Sequence, residues 1–170
     1  MLSTLGKSIF HTLINLGIFI SFCKKTLAAI LLNRLKAKHL IEQIIKLGID
    51  SLFVVSVTAL FVGMAFSVQV LKELLRFGAP DMVGGVIALA VWRELGPLLT
   101  AVVLAGRVGS AIAAEISSMK VNEQVDALSV MGQNIISFLV APRVLAMIIM
   151  TPLLVGLADI IGYFGGLIIT

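Results

Sequence analysis

Apolar residues fall in long consecutive runs along this chain, and three runs reach bilayer-crossing length: Ser51 to Leu71, Met82 to Ala114 and Val144 to Thr170. A hydrocarbon core about 30 Å thick needs about 20 apolar residues per helix. The runs are apolar at neighbouring positions, not at every second one, which argues against a β-barrel. Before them, Leu5, Ile9, Leu13, Leu16 and Ile20 recur at helical spacing, with Ser3, Thr4, Lys7, Ser8, His11, Thr12 and Asn15 on the other faces. That pattern predicts a helix lying in the interface plane. The apolar stretch from Ile9 to Phe22 is too short to cross comfortably. The predicted fold is therefore all-α: a polytopic transmembrane helical protein with an N-terminal interfacial helix.

Charge sets the orientation. Residues 1–46 carry Lys7, Lys24, Lys25, Arg34, Lys36, Lys38 and Lys46 against the single acid Glu42, which places this segment on the cytoplasm-like side and favours anionic head groups. The first span then runs outward. Lys72, Glu73, Arg76, Gly78, Pro80 and Asp81 form a turn on the far side, and the second span returns. The polar stretch from Glu115 to Arg143 is back on the cytoplasmic side. Two regions follow, a basic amphipathic segment over 1–46 and a transmembrane domain over 47–170. The third run is still apolar at Thr170, so the chain is expected to be truncated at its C-terminus.

Composition agrees: 59% of the 170 residues are hydrophobic and 13% charged, with a mean hydropathy of +1.13. A soluble domain of this size cannot hide so much apolar surface. Cys23 is the only cysteine, which excludes a disulfide framework, and His11 and His39 stand apart from any ligand pattern. No metal site and no nucleic-acid partner are expected. The cleavage pattern of a signal peptide is missing from the first apolar stretch.

Candidate chemistry lies in the second span. Ala90-Val91-Trp92-Arg93-Glu94-Leu95-Gly96-Pro97 puts an ion pair's worth of charge and a helix-breaking step inside an apolar run. Ionisable groups at membrane depth cost a few kcal/mol each and face a bundle interior or a wet cavity. Pro97 predicts a kink near Arg93 and Glu94. These two residues either line a pathway for a charged head group, tie helices together as an ion pair, or snorkel to an interface. Beyond the kink, Ala101, Ala105, Gly109 and Ala113 form a small-residue stripe, with Gly106, Ser110 and Ala114 beside it. This predicts close packing against another helix. Arg107 lies between the stripes, placed to anchor the helix or to meet a lipid phosphate.

In the loop, Asn122 is a candidate N-cap, Glu123 a favourable first-turn acid and Gly132 a left-handed C′ residue. Val121, Val125 and Leu128 give this short helix an apolar face. It is either an ordinary surface helix or one that docks into a groove on a partner. Gly6-Lys7-Ser8 is not a phosphate-binding loop, because the upstream glycine position falls at Met1. No nucleophile-base pairing suggests catalysis, so the chain is not expected to be an enzyme.

Arg93-Glu94-Leu95-Gly96-Pro97, Ala105-Gly106-Arg107-Val108-Gly109-Ser110, Ala114-Glu115, Asn122-Glu123-Gln124-Val125-Asp126-Ala127-Leu128 and Met131-Gly132 together resemble the MlaE-type permease family. Pro142-Arg143-Val144-Leu145-Ala146 and Asp159 to Gly166 also fit, and the resemblance extends from about Leu47 to Thr170. It implies a dimeric permease that pairs with two ATPase subunits and often with a lipid-binding MCE-domain protein. Phospholipids or related lipids would be moved between a bacterial inner membrane, or a plastid inner envelope, and an outer membrane. ATP would be used by the partner subunit, and this chain would hold no cofactor. By that similarity Asn122, Glu123, Gln124, Asp126 and Leu128 belong to the coupling helix that meets the ATPase. Arg93, Glu94, Pro97 and Arg107 would lie along the substrate pathway. Asn122 departs from the family's usual Thr or Ser, all three being capping residues. Two other readings are an ion-coupled carrier, in which Glu94 and Asp159 bind cations or relay protons, and a scaffold whose small-residue stripes serve assembly alone.

Overall fold

The computed structural model describes residues 2–32 and 37–169, which form helices and turns with no strand. Arg34, Lys36 and Thr170 lie outside the described residues, as do the side chains of the first nine. The helices are α1 (Leu2–Leu31), α2 (Ala37–Ile44), α3 (Asp50–Arg76), α4 (Val83–Ala90), α5 (Gly96–Val121), α6 (Gln124–Val130) and α7 (Ala141–Leu167). The π-helical turns Ile45–Ile49, Val91–Leu95 and Ile136–Val140 lead into α3, α5 and α7, and a 3₁₀ turn, Pro80–Met82, precedes α4. Among the described residues, four stretches are long and apolar enough to cross a membrane: Phe10–Leu31, Ala37–Arg76, Val83–Val121 and Ile136–Leu167.

The first expected run lies inside α3, the second starts one residue before α4 and ends inside α5, and the third starts inside α7 and passes its end; the N-terminal element is longer than its apolar pattern indicated. Helix α1 continues through Lys24 and Lys25 to Leu31. The length argument against a crossing by this helix therefore falls. It is buried at Thr26 and Ala29, near where it meets the start of α7 and the turn before it.

The core is the contact between α3 and α7, with α5 against both. Ser51, Val55, Ala59, Gly63 and Ser67 are the buried positions of α3, each four residues from the next. Leu154, Ala158, Gly162 and Gly166 continue the same spacing on α7. Rows of small residues every four positions let two backbones approach closely. A Cβ on Gly63 would overlap the carbonyl oxygen of Gly162, and one on Gly165 would come within 2.7 Å of the Leu60 carbonyl oxygen. Ser67 Oγ donates to the Gly63 carbonyl at 2.9 Å, so its hydroxyl is satisfied inside this contact. Large apolar side chains such as Phe53, Phe61, Leu98 and Ile148 point outward, as they do where lipid is the solvent.

The expected bend at Pro97 takes the form of the π turn. Gly96 N–H donates to the Val91 carbonyl, five residues back, and Ala141 N–H does the same to Ile136 ahead of Pro142. A proline has no N–H to give and crowds the carbonyl four residues before it. Widening the preceding turn by one residue relieves both problems without ending the helix. The buried positions step by four through Val83, Ile87 and Val91, by five to Gly96, then by four again through Thr100, Leu104 and Val108.

The loop helix differs at its start from the sequence expectation. Helix α5 runs unbroken to Val121, so Asn122 caps its C-terminus and is not an N-cap. Asn122 Nδ2 contacts Ser118 Oγ at 3.4 Å, and Glu123, at φ 56°, takes the left-handed conformation that turns the chain into α6. The C-terminal expectation holds. Gly132 has φ +71°, its N–H donates to Ser129 O at 3.0 Å, and Gln133 N–H donates to Leu128 O at 3.1 Å. These two bonds make a Schellman motif. Gly132→Ala should cost about 1 kcal/mol by placing a Cβ in the left-handed region. Amide exchange over residues 124–133 should quicken correspondingly while α3 and α7 keep their protection.

Candidate functional site

Helical rise supplies a depth scale. Asp50 and Lys72 bracket the apolar part of α3 with about 33 Å between them along the axis, close to a hydrocarbon core. Lys46, Asp50, Arg107, Glu115 and Arg143 lie towards one end of that slab, and ion pairs tie that end together. Glu115 Oε1 accepts from Lys46 Nζ at 3.1 Å, and Glu115 Oε2 accepts from Arg143 Nη2 at 3.1 Å. Arg143 is 5% exposed, and its Nη1 donates to the Leu139 carbonyl at 3.1 Å. Its Nε has no partner among the described residues. One carboxylate thus joins the entries of α3 and α7 to the far half of α5. It also places the polar stretch Glu115–Arg143 at the same end as Lys46, as the charge pattern predicts. None of these contacts is foreseen from sequence. The signal is there in charges that border three apolar runs, but their pairing is non-local.

Arg93 and Glu94 sit deeper, in the π turn Val91–Leu95, about 20 Å from Arg107 along the helix. Both are exposed on the outside of this chain, beside exposed Trp92. Neither forms a salt bridge among the described residues, so within the chain they are not the ion-paired knot. Pro97 is half-buried at the start of α5 and shapes the turn that carries them. The opposite side of the turn faces α7. A Cβ on Gly96 would overlap Asp159 Oδ1, so glycine there makes room for the carboxyl group. Asp159 Oδ1 and the buried Thr100 hydroxyl have no hydrogen-bond partner among the described residues. Thr100, Gly96, Val91 and Gly162 border a space of about 10 Å³, room for no more than one water.

The small-residue stripe does not pack within this chain. Ala101, Ala105, Gly109 and Ala113 are all exposed. A Cβ added at Gly109, or at neighbouring Gly106, would meet nothing within 4 Å among the described residues. The inward face of α5 is instead Thr100, Leu104 and Val108. The stripe that does pack closely, on α3 and α7, is hard to see in the sequence because its glycines are mixed with Val and Ser. Arg107 is exposed and shares a cleft with Lys46, Asp50 and Glu115.

Asn122, Glu123, Gln124 and Asp126 are exposed, with Leu128 and Val125 half-buried and Val121 exposed. Helix α6 is held to α5 by Lys120 Nζ, which donates to both oxygens of Asp126 at 2.7 and 2.9 Å. An exposed pair of this kind contributes about 0–1 kcal/mol, so it orients α6 more than it stabilises the fold.

The family model described as Permease MlaE matches residues 40–170. The chain belongs to the MlaE permease family. A probable ABC transporter permease protein of Synechocystis is 48% identical over 141 residues, which are 83% of this chain and 54% of that protein. One of Porphyra purpurea is 42% identical over 139 residues, 82% of this chain and 51% of that protein. The chloroplastic protein trigalactosyldiacylglycerol 1 of Arabidopsis thaliana is 44% identical over 125 residues, 74% of this chain and 36% of that protein. The chain spans about half the length, or less, of these relatives. The MlaE match takes in the charged end, the π turn with Arg93 and Glu94, and α6, and leaves out α1. This MlaE chain is an integral membrane protein, with relatives in bacteria, chloroplasts and plastid genomes.

Proposed function

We propose that the chain is the membrane-spanning permease part of an ATP-driven ABC transporter that moves phospholipids or related lipids between membranes. Two copies would pair with two ATPase subunits and with an MCE-domain lipid-binding protein. ATP would be hydrolysed on the partner. The observation that carries this reading is α6, an exposed helix held in one orientation by the Lys120–Asp126 pair at the charged end of an MlaE bundle. A helix so placed suits a groove on a cytoplasmic ATPase. Arg93 and Glu94 support the lipid part. They are exposed at membrane depth with no salt bridge among the described residues, where a second copy would enclose them as the walls of a pathway. The exposed Ala101, Ala105, Gly109 and Ala113 face offers that copy a smooth surface.

The test is co-purification of the chain with its candidate ATPase. Wild type should retain the ATPase, and Asp126→Lys should lose most of it. The double variant Asp126→Lys with Lys120→Asp restores the pair inside the chain. Recovery of binding would mean that Asp126 acts by orienting α6, and continued loss that it meets the ATPase itself. Absence of any ATPase from the wild-type membrane complex would sink the reading. Asp159 Oδ1, without a hydrogen-bond partner among the described residues, favours the ion-coupled carrier as a second reading. Nucleotide-independent lipid movement abolished by Asp159→Asn would establish that alternative.

A further inference from the structure

Between the turn into α3 and the second half of α5 lies a cleft of about 60 Å³, bordered by Lys46, Asp50, Ser51, Arg107, Ile112 and Glu115. Its charges are unequally engaged. Both Glu115 oxygens are taken, one by Lys46 and one by Arg143, and the Lys46 ammonium is taken in the same exchange. The Arg107 guanidinium and the Asp50 carboxylate remain, exposed and without an ion pair among the described residues. They stand on different helices, at the depth where the apolar runs of α3 and α5 give way to charge.

We propose that this cleft holds the head group of a zwitterionic phospholipid from the surrounding leaflet, with its phosphate on Arg107 and its ammonium on Asp50. A guanidinium is a planar, permanently charged donor suited to phosphate oxygens. A carboxylate lining the same cleft suits the amine of such a head group. An anionic head group lacking the amine would satisfy Arg107 but set like charge against Asp50, which costs affinity at a partly dehydrated interface. The acyl chains stay in the bilayer. The site is separate from Arg93 and Glu94, about 20 Å deeper, and requires only that the chain sit in a membrane. It goes beyond transport and stands or falls without the ATPase.

The purified chain, in detergent and without ATPase, is equilibrated with equimolar phosphatidylethanolamine, phosphatidylcholine and phosphatidylglycerol of identical acyl chains. Retained lipid is then read by native mass spectrometry. Wild type should keep the two zwitterionic lipids about tenfold over phosphatidylglycerol, the factor that one charge-assisted contact supplies. Asp50→Lys should reverse that order, Asp50→Asn should level it, and Arg107→Gln should reduce all three lipids. Because Asp50→Lys is judged by a ratio, reduced folding of any variant does not obscure the result. Equal retention of the three lipids by wild type, or an unchanged order in Asp50→Lys, would overturn the proposal. Excess glycerophosphoethanolamine, which has the head group without acyl chains, should displace little lipid. Full displacement would make this a site for a soluble phosphoester and would overturn the lipid assignment. ATPase co-purification is independent of all these arms, so either proposal can fail while the other stands.

Discussion

Gly63→Leu is expected to abolish the folded form of the chain, leaving no monodisperse protein after extraction from the membrane. The reason is the identity of the atom in the way. A side chain at position 63 would enter the carbonyl oxygen of Gly162, on the backbone of α7, and a backbone cannot swing aside as a flexible side chain does. Overpacking a core typically costs about 1–3 kcal/mol when side chains rearrange. Here α3 and α7 must separate along the most extensive contact in the bundle, and the cost exceeds that range. The control is Gly109→Leu on α5, where an added Cβ would meet nothing within 4 Å among the described residues. That variant should extract and fold as wild type does. If two copies associate through the exposed face of α5, it should change the oligomeric state seen by size-exclusion chromatography with light scattering. Loss of folding in Gly109→Leu, with normal folding in Gly63→Leu, would reverse the roles given to the two small-residue faces.

Glu115→Ala should destabilise the charged end by about 3 kcal/mol, the usual cost of leaving a buried charge without its counter-ion. Arg143 is the residue left stranded. Its Nε already lacks a partner among the described residues, and its remaining bond is to the Leu139 carbonyl. Lys46, half exposed, loses less because water can take over its ammonium. The asymmetry gives a check. Adding Arg143→Met to Glu115→Ala removes the stranded charge and should recover much of the lost stability, whereas adding Lys46→Met should recover little. Steric-trapping or denaturant titration in micelles reads the difference. Equal effects of the two second substitutions would show that burial of Arg143 is not what makes the network matter.

What the sequence could disclose depended on how local the cause was. Runs of apolar residues dictate where a chain meets lipid, and the middles of α3, α5 and α7 lie where those runs are. Gly132 was legible because a left-handed turn after a short helix needs only its immediate neighbours. Asn122 misled because the stretch before it, residues 115–121, reads as polar loop, yet it continues α5. A capping residue between two helices can serve either one, and only the length of the first decides. Ala105 and Gly63 differ for a related reason. Both belong to small-residue patterns, but nothing local tells which pattern meets a helix of the same chain and which is left outside. The Lys46–Glu115–Arg143 network joins residues that are far apart in the sequence, and Asp159 gains its setting only when Gly96 is packed against it. Those associations exist in the fold alone.

The five-residue step between Val91 and Gly96 acts as a unit of rotational phase. In a regular α-helix each residue turns the chain by about 100°, so a fifth residue would point the α4 stripe away from Thr100, Leu104 and Val108; the wide turn takes that residue up and keeps the stripe on one side. Deleting a single residue from 91–95 would leave a four-residue step that an ordinary α-helical turn matches, so Val83 and Ile87 should stay in the core while Pro97 is left crowding the carbonyl four residues before it. An inserted residue, with no wider turn to absorb it, is what would turn α4 away from the core. Among homologous chains, insertions between Ile87 and Gly96 should therefore be rarer than the loss of one residue there.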